Sequence, residues 1–559
     1  MAKISGSKLI IKCLEAEGVE TVFGIAGDHF LHLLDEMIDH KFNMIDGRHE
    51  AASVHMANAY SRLLRRPGVV MSTTPGHANA IAGLANALHS EAAVINIAGS
   101  ASSANIGRGA MQEFDQVGTA RPVTKGAWEI SSVDRIPEII SLAFRTAMSG
   151  RRGPVHITIP EDIQTGMVDE KEFDRYYSSF DSKQEYTINC DKNLITKALE
   201  ILRNAEKPVI IAGAGAGATV NPEILEDFVN FTQIPIFTVD HGRGLVPDKN
   251  KFSCGLGYLP LNKALQRINE SDVVLLLGER LDYRWGYGGN PPFNDNVKQI
   301  IIDSDPNLNN RARKFELVIW SDVGPAVEEL SKQSKQYKWN NIDWAESLKI
   351  SLAKHKEEIG KLAKNNNPMH PMLVSKTLSD LIDDDTIVII DGGDYCHYFR
   401  AYLEANHPNL WLYVSSFGMI GAALPYSIGA QVAFPDKKVI CIVGDGSLGF
   451  HAMEIDTAVR HKLPIKILVG NNSLWGIDYQ IQKGLYGRTI WTELEQTRYD
   501  LISSGMGANS KNVLSFSELK SSLTEALNFE GVSLLNIVVD KVTSPVAEAA
   551  ISRKFGSHS

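Results

Sequence analysis

The sequence predicts an α/β protein built from three doubly wound parallel-sheet domains, and three observations carry that prediction. The chain has 559 residues, enough for about three or four domains at roughly 150 residues each. Short β-branched apolar runs alternate with helical patterns almost throughout, as parallel strands joined by crossover helices require. Two charged or polar stretches, at 161–193 and 332–367, break this alternation into three blocks of comparable length. A hydrophobic fraction of 44% and a charged fraction of 22% are those of an ordinary globular protein.

In chain order, the first 20 residues read as an amphipathic helix. The first block then carries VETVFGI (19–25), GVVMSTT (68–74), AAVINIAG (92–99) and PVHITIP (154–160). The second carries KPVIIAG (207–213), IPIFTVD (234–240), DVVLLLGE (272–279), KQIIIDSD (298–305) and LVIWSD (317–322). The third carries TIVIIDGGD (386–394), LWLYVSS (410–416), KKVICIVGDGS (437–447), PIKILVGNN (464–472) and VSLLNIVVD (532–540). The expected boundaries are 1–165, a linker at 166–190, 191–333, a linker at 334–367, 368–545 and a tail at 546–559. The first and third blocks share length and rhythm without a readable sequence period.

Composition also excludes function classes. Lys plus Arg number 56 against 66 Asp plus Glu, a net charge of −10 with no basic stripe, so nucleic acid is not an expected partner. Cys13, Cys190, Cys254, Cys396 and Cys441 are scattered and never form C-x-x-C, which argues against a disulfide framework and against zinc. No run approaches the roughly 18 apolar residues of a membrane span, and the N-terminus lacks a leader pattern. The expectation is a cytoplasmic protein with a small-molecule substrate and no membrane partner.

The most informative run is VICIVGDGSLGFHAMEIDTAVRHKLPIKILVGNNSLWGI (439–477). An apolar strand ends in Gly444, Asp445, Gly446 and Ser447, where glycines permit a tight turn and leave backbone N–H groups for phosphate oxygens. A second strand ends in Asn471 and Asn472, the latter 27 positions after Asp445. Two neighbouring parallel strands thus bring a carboxylate and a carboxamide to the carboxyl edge of one sheet, where α/β ligands bind. Hard oxygen ligands beside phosphate suit Mg²⁺. Alone, GDGS reads equally as a plain strand-to-helix turn.

With the paired asparagines, the run resembles the thiamine-diphosphate-dependent enzymes, whose motif begins Gly-Asp-Gly and ends in Asn. The resemblance implies thiamine diphosphate and Mg²⁺ as cofactors, with Asp445, Asn472 and the backbone carbonyl of Leu474 as metal ligands. The family also requires an early glutamate, and NMIDGRHEAASVHMANAYSRLLRRPG supplies Glu50, followed by a helical pattern and an expected glycine-containing loop, PGHAN (75–79). By resemblance Glu50 hydrogen-bonds the aminopyrimidine and favours the imino tautomer that removes the thiazolium C2 proton. FGMIGAALPYSIGAQVA (417–433) resembles the segment that bends the cofactor, with Ile420 on its large aliphatic position and the Gly418 carbonyl on the aminopyrimidine contact. Many relatives have Met where Ile420 stands. DGGDYC (391–396), with Gly392 and Gly393, resembles the loop that contributes to diphosphate binding. The resemblance covers essentially the whole chain, in the order pyrimidine, middle and diphosphate domains. It implies a homodimer or homotetramer in which the domains sharing one cofactor come from different subunits.

Substrate choice rests on fewer residues. His29 in GIAGDHFLHLLDEM (24–37) and Gln112 in GAMQEFDQV (109–117) resemble the substrate-handling pair of benzaldehyde lyase. GAMQEFDQV, RLDYRWGYGGNPPF (280–293) and TRYD (497–500) resemble 2-hydroxyacyl-CoA lyases. His29 reads either as a solvent-facing neighbour of a helix cap or as a proton shuttle, and His32 as plain surface. His49, His55, His89 and His461 read as structural. The middle block's GAGAGA (213–218) leaves two readings open: a nucleotide site for ADP, a CoA moiety or FAD, or a vestigial empty domain. The tail SRKFGSHS (552–559) reads as disorder, with closure over the site, or a grip on phosphate through Arg553 and Lys554, as the alternatives. The expected activity is a carbon–carbon lyase or carboligase acting on a 2-hydroxyacyl or acyloin compound. The alternatives are acetolactate synthase, a 2-oxo acid decarboxylase, and a catalytically silent cofactor-binding paralogue.

Overall fold

In the computed structural model, which describes residues 3–177, 187–308 and 314–556, the apolar runs form the interiors of three six-stranded parallel sheets. The first is ordered in space Asn43–Asp46, Thr21–Gly24, Gly68–Ser72, Val94–Ser100, Val155–Pro160, Ala127–Glu129. Numbered along the chain, that order is 2-1-3-4-6-5. The third sheet has the same order: Trp411–Tyr413, Ile387–Ile390, Val439–Gly444, Lys466–Asn471, Ser533–Val538, Asn509–Val513. The middle sheet differs, running Ser253–Leu256, Ile236–Thr238, Pro208–Ala212, Val273–Leu277, Lys298–Asp303, Leu317–Trp320, or 3-2-1-4-5-6. Central strands such as Val273–Leu277 are buried along their whole length, as a sheet covered on both faces demands.

The chain folds into two compact units. The first comprises Met1–Tyr186, Ser415–Pro435 and Met453–Leu463. Its N-terminal strand Lys3–Ser5 pairs antiparallel with Met167–Asp169, and Ser5 caps the helix Gly6–Ala16 by accepting the Lys8 N–H. The helix Glu50–Leu64, buried along most of its length, packs against Ala423–Ala433. The two come close at Gly429, where a Cβ would stand 2.1 Å from the Met56 carbonyl oxygen, so any side chain there forces the helices apart. The helix Glu454–Arg460 is tied to the same unit. Its Glu454 carboxylate accepts the Arg48 N–H at 3.0 Å, and His461, just beyond it, reaches Asp46 at 2.7 Å.

The second unit comprises Thr187–Val414, Asp436–Ala452 and Pro464–Ser559, and holds the middle and third sheets. The helix Ile342–Gly360 lays Trp344 and Leu348 on the core of the middle sheet. Its Lys349 donates to the carbonyls of Asp248, Asn250 and Ser253.

Three local expectations are corrected. PGHAN is not a loop: Pro75 opens the helix Thr74–His89, where its fixed φ and missing N–H are tolerated. The tail is not disordered through its first part, because Pro545–Gly556 is helical, with Ala547 buried and Ile551 against Gly484. Arg553 is exposed on that helix, and the Lys554 side chain lies outside the described residues. His29 does not face solvent; it is 5% exposed. Among the described residues no helix is long and apolar enough to cross a membrane, and the five cysteines are unpaired with one another.

Candidate active site

The first unit carries its candidate residues on the carboxyl ends of four adjacent strands. His29 follows Thr21–Gly24, Glu50 follows Asn43–Asp46, Gly76 and Asn79 follow Gly68–Ser72, and Gln112 follows Val94–Ser100. Glu50 is the first residue of its helix, behind His49, whose Nδ1 accepts the Ala51 N–H at 3.1 Å. Asn79 Nδ2–H donates to Glu50 Oε2 at 3.0 Å. A Cβ on Gly76 would lie 2.7 Å from Glu50 Oε1, so only glycine lets the carboxyl take this place. Asn79 and Gly76 hold Glu50, and sequence reasoning missed them by treating PGHAN as a connection.

His29 sits in a short 3-10 turn, Asp28–Phe30. Its carbonyl accepts from Gln164 Nε2 at 2.6 Å and lies against Gly99, while its buried Nδ1 has no hydrogen-bond partner among the described residues. Gln112 is exposed, with φ +55°, and lines a cavity of about 540 Å³ together with Thr74, Ser100, Gln116, Glu129 and Thr158. Glu113 turns back and accepts the N–H groups of Gly107 and Ala110 at 2.7 and 3.1 Å. His29 is not among the residues lining that cavity.

Beneath the cavity runs a buried polar chain that the sequence did not disclose. Gln116 donates to Thr74 Oγ1 and accepts from Thr158, and His156 Nε2 lies 2.8 Å from Thr158 Oγ1. Asn96 Nδ2 reaches the Nδ1 atoms of both His77 and His156 at 2.9 Å. Burial pushes the His77 imidazole down to about 4, so the pair is neutral near pH 7.

Ser415–Pro435, in the same unit, contributes Gly418 and Ile420. Gly418 has φ +71° and bonds back to the Ser415 carbonyl, whose hydroxyl reaches Asn86 at 2.8 Å. Asn86 in turn donates to Tyr426 Oη at 2.7 Å. Ile420 is half-buried. His32 is exposed, whereas His55 packs edge-on against Tyr426 and His89 stacks on Phe417.

The second unit presents the other set on three adjacent strand ends. Asp445 ends Val439–Gly444, paired with Lys466–Asn471 through Gly444 and Gly470, so Asp445 and Asn472 emerge side by side. Asp445 is 3% exposed, and burial pushes its carboxyl up to about 6. The Ser473 N–H donates to its Oδ2 at 2.8 Å, and the Leu474 N–H donates to Asn472 Oδ1 at 3.1 Å. This loop is braced from outside by Trp475 N–H to Thr492 O and Leu494 N–H to Ser473 O, both at 2.8 Å. Tyr499 of the TRYD run donates to the Asp445 carbonyl at 3.0 Å, a contact without a sequence signal of its own. Of the two asparagines, Asn471 is consumed by the core, donating to Thr497 O and Asn536 Oδ1, which leaves Asn472 at the edge.

Gly392 and Gly393 follow Ile387–Ile390, the Gly392 N–H donating to Asp391 Oδ1 and Gly393 taking φ +109°. Nothing lies within 4 Å of where a Cβ would stand on Gly393 or Gly444, whereas Gly446 faces the Trp475 ring at 2.8 Å. Ser447 is buried in the first turn of Asp445–His451. Asp394 has one carboxyl oxygen on the Ser544 hydroxyl and the other without a partner among the described residues, and burial pushes it up to about 7.

Open space beside Gly393 and Gly444, on the sheet edge that carries the buried Asp445 carboxyl and the Asn472 carboxamide, fits a hard divalent cation together with an anionic oxygen ligand. No cluster of three or more His, Cys, Asp or Glu that could hold a metal occurs among the described residues. A metal held at this edge would need oxygen ligands beyond these two side chains, and phosphate oxygens are the usual ones for Mg²⁺.

Residues 4–119 match the N-terminal TPP binding domain of thiamine pyrophosphate enzymes, 195–330 their central domain and 391–537 their C-terminal TPP binding domain. A probable acetolactate synthase large subunit of Methanococcus aeolicus is 31% identical over 96% of this chain and 92% of its own length. The acetolactate synthase isozyme 2 large subunit of Escherichia coli is 28% identical, covering 96% of both chains. A 2-hydroxyacyl-CoA lyase of Arabidopsis thaliana is likewise 28% identical, with 96% of both covered. Three domain models in the family's order, and full-length similarity at these identities, show that the chain belongs to the thiamine pyrophosphate enzymes.

Proposed function

We propose that this thiamine-diphosphate-dependent enzyme is a Mg²⁺-requiring carbon–carbon lyase or carboligase that cleaves or forms the bond beside the hydroxyl-bearing or carbonyl carbon of a 2-hydroxyacyl or acyloin compound, including 2-hydroxyacyl-CoA. Bound thiamine diphosphate supplies the electron sink for that bond. The chain supplies the rest. Asp445, Asn472 and the Leu474 carbonyl hold the cation. Gly392, Gly393, Gly444, Gly446 and Ser447 line the turn that receives the diphosphate, Gly418 and Ile420 shape the cofactor's seat, and Glu50 holds a proton at its carboxyl group against one ring nitrogen.

The observation that carries the substrate reading is His29: a buried imidazole with an unengaged Nδ1, on the sheet edge that also bears Glu50. An imidazole on that edge can pass a proton to or from a substrate oxygen, a task worth roughly 10²-fold or more in rate, and because Nδ1 is fully buried the nitrogen that would do so is Nε2. Gln112, on its cavity wall, would orient the substrate.

A second reading, acetolactate synthase or a 2-oxo acid decarboxylase, is favoured by the relatives named acetolactate synthase. A catalytically silent paralogue is disfavoured by Asn79 and Gly76, which hold Glu50 in a way that cofactor binding alone does not need. The assembly is proposed as a homodimer or homotetramer, to be checked by analytical ultracentrifugation. Incubating the holoenzyme separately with pyruvate, benzoin and a 2-hydroxyacyl-CoA, with products identified by mass spectrometry, decides the reaction. Cleavage of benzoin or the acyl-CoA supports the lyase, and turnover of pyruvate alone replaces it with the second reading.

A further inference from the structure

The middle sheet has the strand order of dinucleotide-binding folds, 3-2-1-4-5-6, whose ligands sit outside the carboxyl ends of strands at the point where the order reverses. Here that point lies between Pro208–Ala212, which runs into the GAGAGA segment, and Val273–Leu277, which runs into Gly278 and Glu279. Whether the residues there fit a nucleotide can be read from three features.

Backbone amides that would cradle a pyrophosphate are already engaged. The Gly213 N–H donates to Leu277 O, the Gly215 N–H to Gly278 O and the Gly217 N–H to Gly213 O, each at 3.0 Å. The loop also lies flat on its neighbour, since a Cβ on Gly278 would stand 2.6 Å from the Gly215 Cα. These glycines serve close packing of chain on chain and leave no gap for a ligand between the two strand ends. The helix that follows, Ala214–Thr219, has only six residues.

The remaining space is taken by a carboxyl group. Glu279 is 2% exposed, and its Oε2 would stand 2.0 Å from a Cβ on Gly213. Its Oε1 accepts from Trp285 Nε1 at 2.8 Å and from Arg284 at 3.2 Å. Arg284, the cation a phosphate would seek, is spent: Asp282 takes its Nε at 3.0 Å and Asp240 its Nη1 at 2.5 Å. A pyrophosphate entering here meets Asp240, Asp282 and Glu279 around one committed guanidinium, and each carboxylate it displaces takes an ion-pair partner from the largely buried Arg284.

We infer that the middle domain fills its own nucleotide crevice: Glu279, clamped by Arg284 and Trp285 against Gly213, occupies the place of the phosphates of an adenine nucleotide, so the domain binds neither ADP nor FAD. Of the two readings of GAGAGA, this is the closed one, and RLDYRWGYGGNPPF is the segment that closes it. The inference leaves the bond-making and bond-breaking proposed above untouched, but it gives the adenine nucleotide of an acyl-CoA substrate no seat in this crevice.

Calorimetric titration of the full-length holoenzyme with ADP and with FAD tests it, alongside Glu279→Ala and Glu279→Gln. The parent should give no saturable binding to either ligand up to about 1 mM and should carry no flavin absorbance as purified. Glu279→Gln keeps the filling and should behave as the parent. Glu279→Ala, shown to be folded by circular dichroism, should gain ADP affinity about tenfold or more, because it vacates the crevice and releases an Arg284 donor. Micromolar binding of ADP or FAD by the parent overturns the inference, as does a folded Glu279→Ala that gains none. If Glu279→Ala does not fold, the parent and Glu279→Gln titrations still decide.

Discussion

The first and third sheets share one strand order, 2-1-3-4-6-5, yet their carboxyl edges carry opposite kinds of chemistry. At the edge of the first, Glu50 is steadied by a neutral carboxamide and a glycine, and His29 keeps an unengaged ring nitrogen. At the edge of the third, Asp445 is buried beneath backbone N–H groups, beside Asn472 and open glycine turns. Topology fixes where functional groups can hang, at adjacent parallel strand ends, while the residues one to twelve positions beyond each strand decide what they do. In the proposed function, the first edge handles protons and the third holds charge.

The comparison is broken most severely if the charge-holding edge proves dispensable. Asp445→Ala should abolish Mg²⁺-dependent retention of thiamine diphosphate in chelator-washed protein while the fold persists. Unchanged affinity by calorimetry removes Asp445 from the site. Next in size is Glu50→Gln, which should keep cofactor and metal but slow exchange of the C2 proton by roughly 10² to 10⁴. Proton exchange followed by NMR on the loaded protein checks this, and a parental rate means that another group carries the proton.

His29→Ala should retain cofactor and exchange at C2, yet lose roughly 10²-fold in turnover of the identified substrate. Equal turnover returns His29 to a structural role.

The smallest effect sharpens the contrast between edge and interior. Glu17 lies at the end of the helix Gly6–Ala16, accepts the Tyr177 hydroxyl at 2.9 Å, and burial pushes it up to about 7 from an ordinary 4.5. The folded state therefore binds a proton more tightly than the unfolded one. Its contribution to stability is present below about pH 4.5 and is lost as pH rises through about 7. Glu17→Gln should flatten the fall in thermal midpoint between pH 5 and 8 by a few degrees at most, leaving activity unchanged.

Much of the fold was legible because central strands of parallel sheets are buried on both faces and read as continuous apolar runs. The strands the sequence did not disclose in the three sheets are all at edges: Asn43–Asp46, Ala127–Glu129, Ser253–Leu256 and Asn509–Val513. NMID and NSKNV pair on one side only, and their polar residues break the continuous apolar run that marks the other strands. The pattern of the proposed metal ligands was legible because Asp445 and Asn472 stand at fixed positions after adjacent strands. The partners that hold those groups were not, since Asn79, Tyr499 and the pair His77 and His156 come from segments whose own patterns report only helix, loop or core.

By itself, the sequence determined the three-domain α/β class and the family, because apolar periodicity and short strand-end motifs are local properties of the chain. Only the tertiary structure decided that the first and third sheets repeat one topology without a shared sequence pattern, since strand order depends on which faces pack together. The tertiary structure also decided that His29 is buried and that Gly76 makes room for Glu50. It further decided that a glycine-rich segment in the middle domain meets Glu279 from 66 residues later rather than an open crevice. Each of these depends on atoms brought within a few ångströms by packing, and no spacing along the chain encodes that proximity.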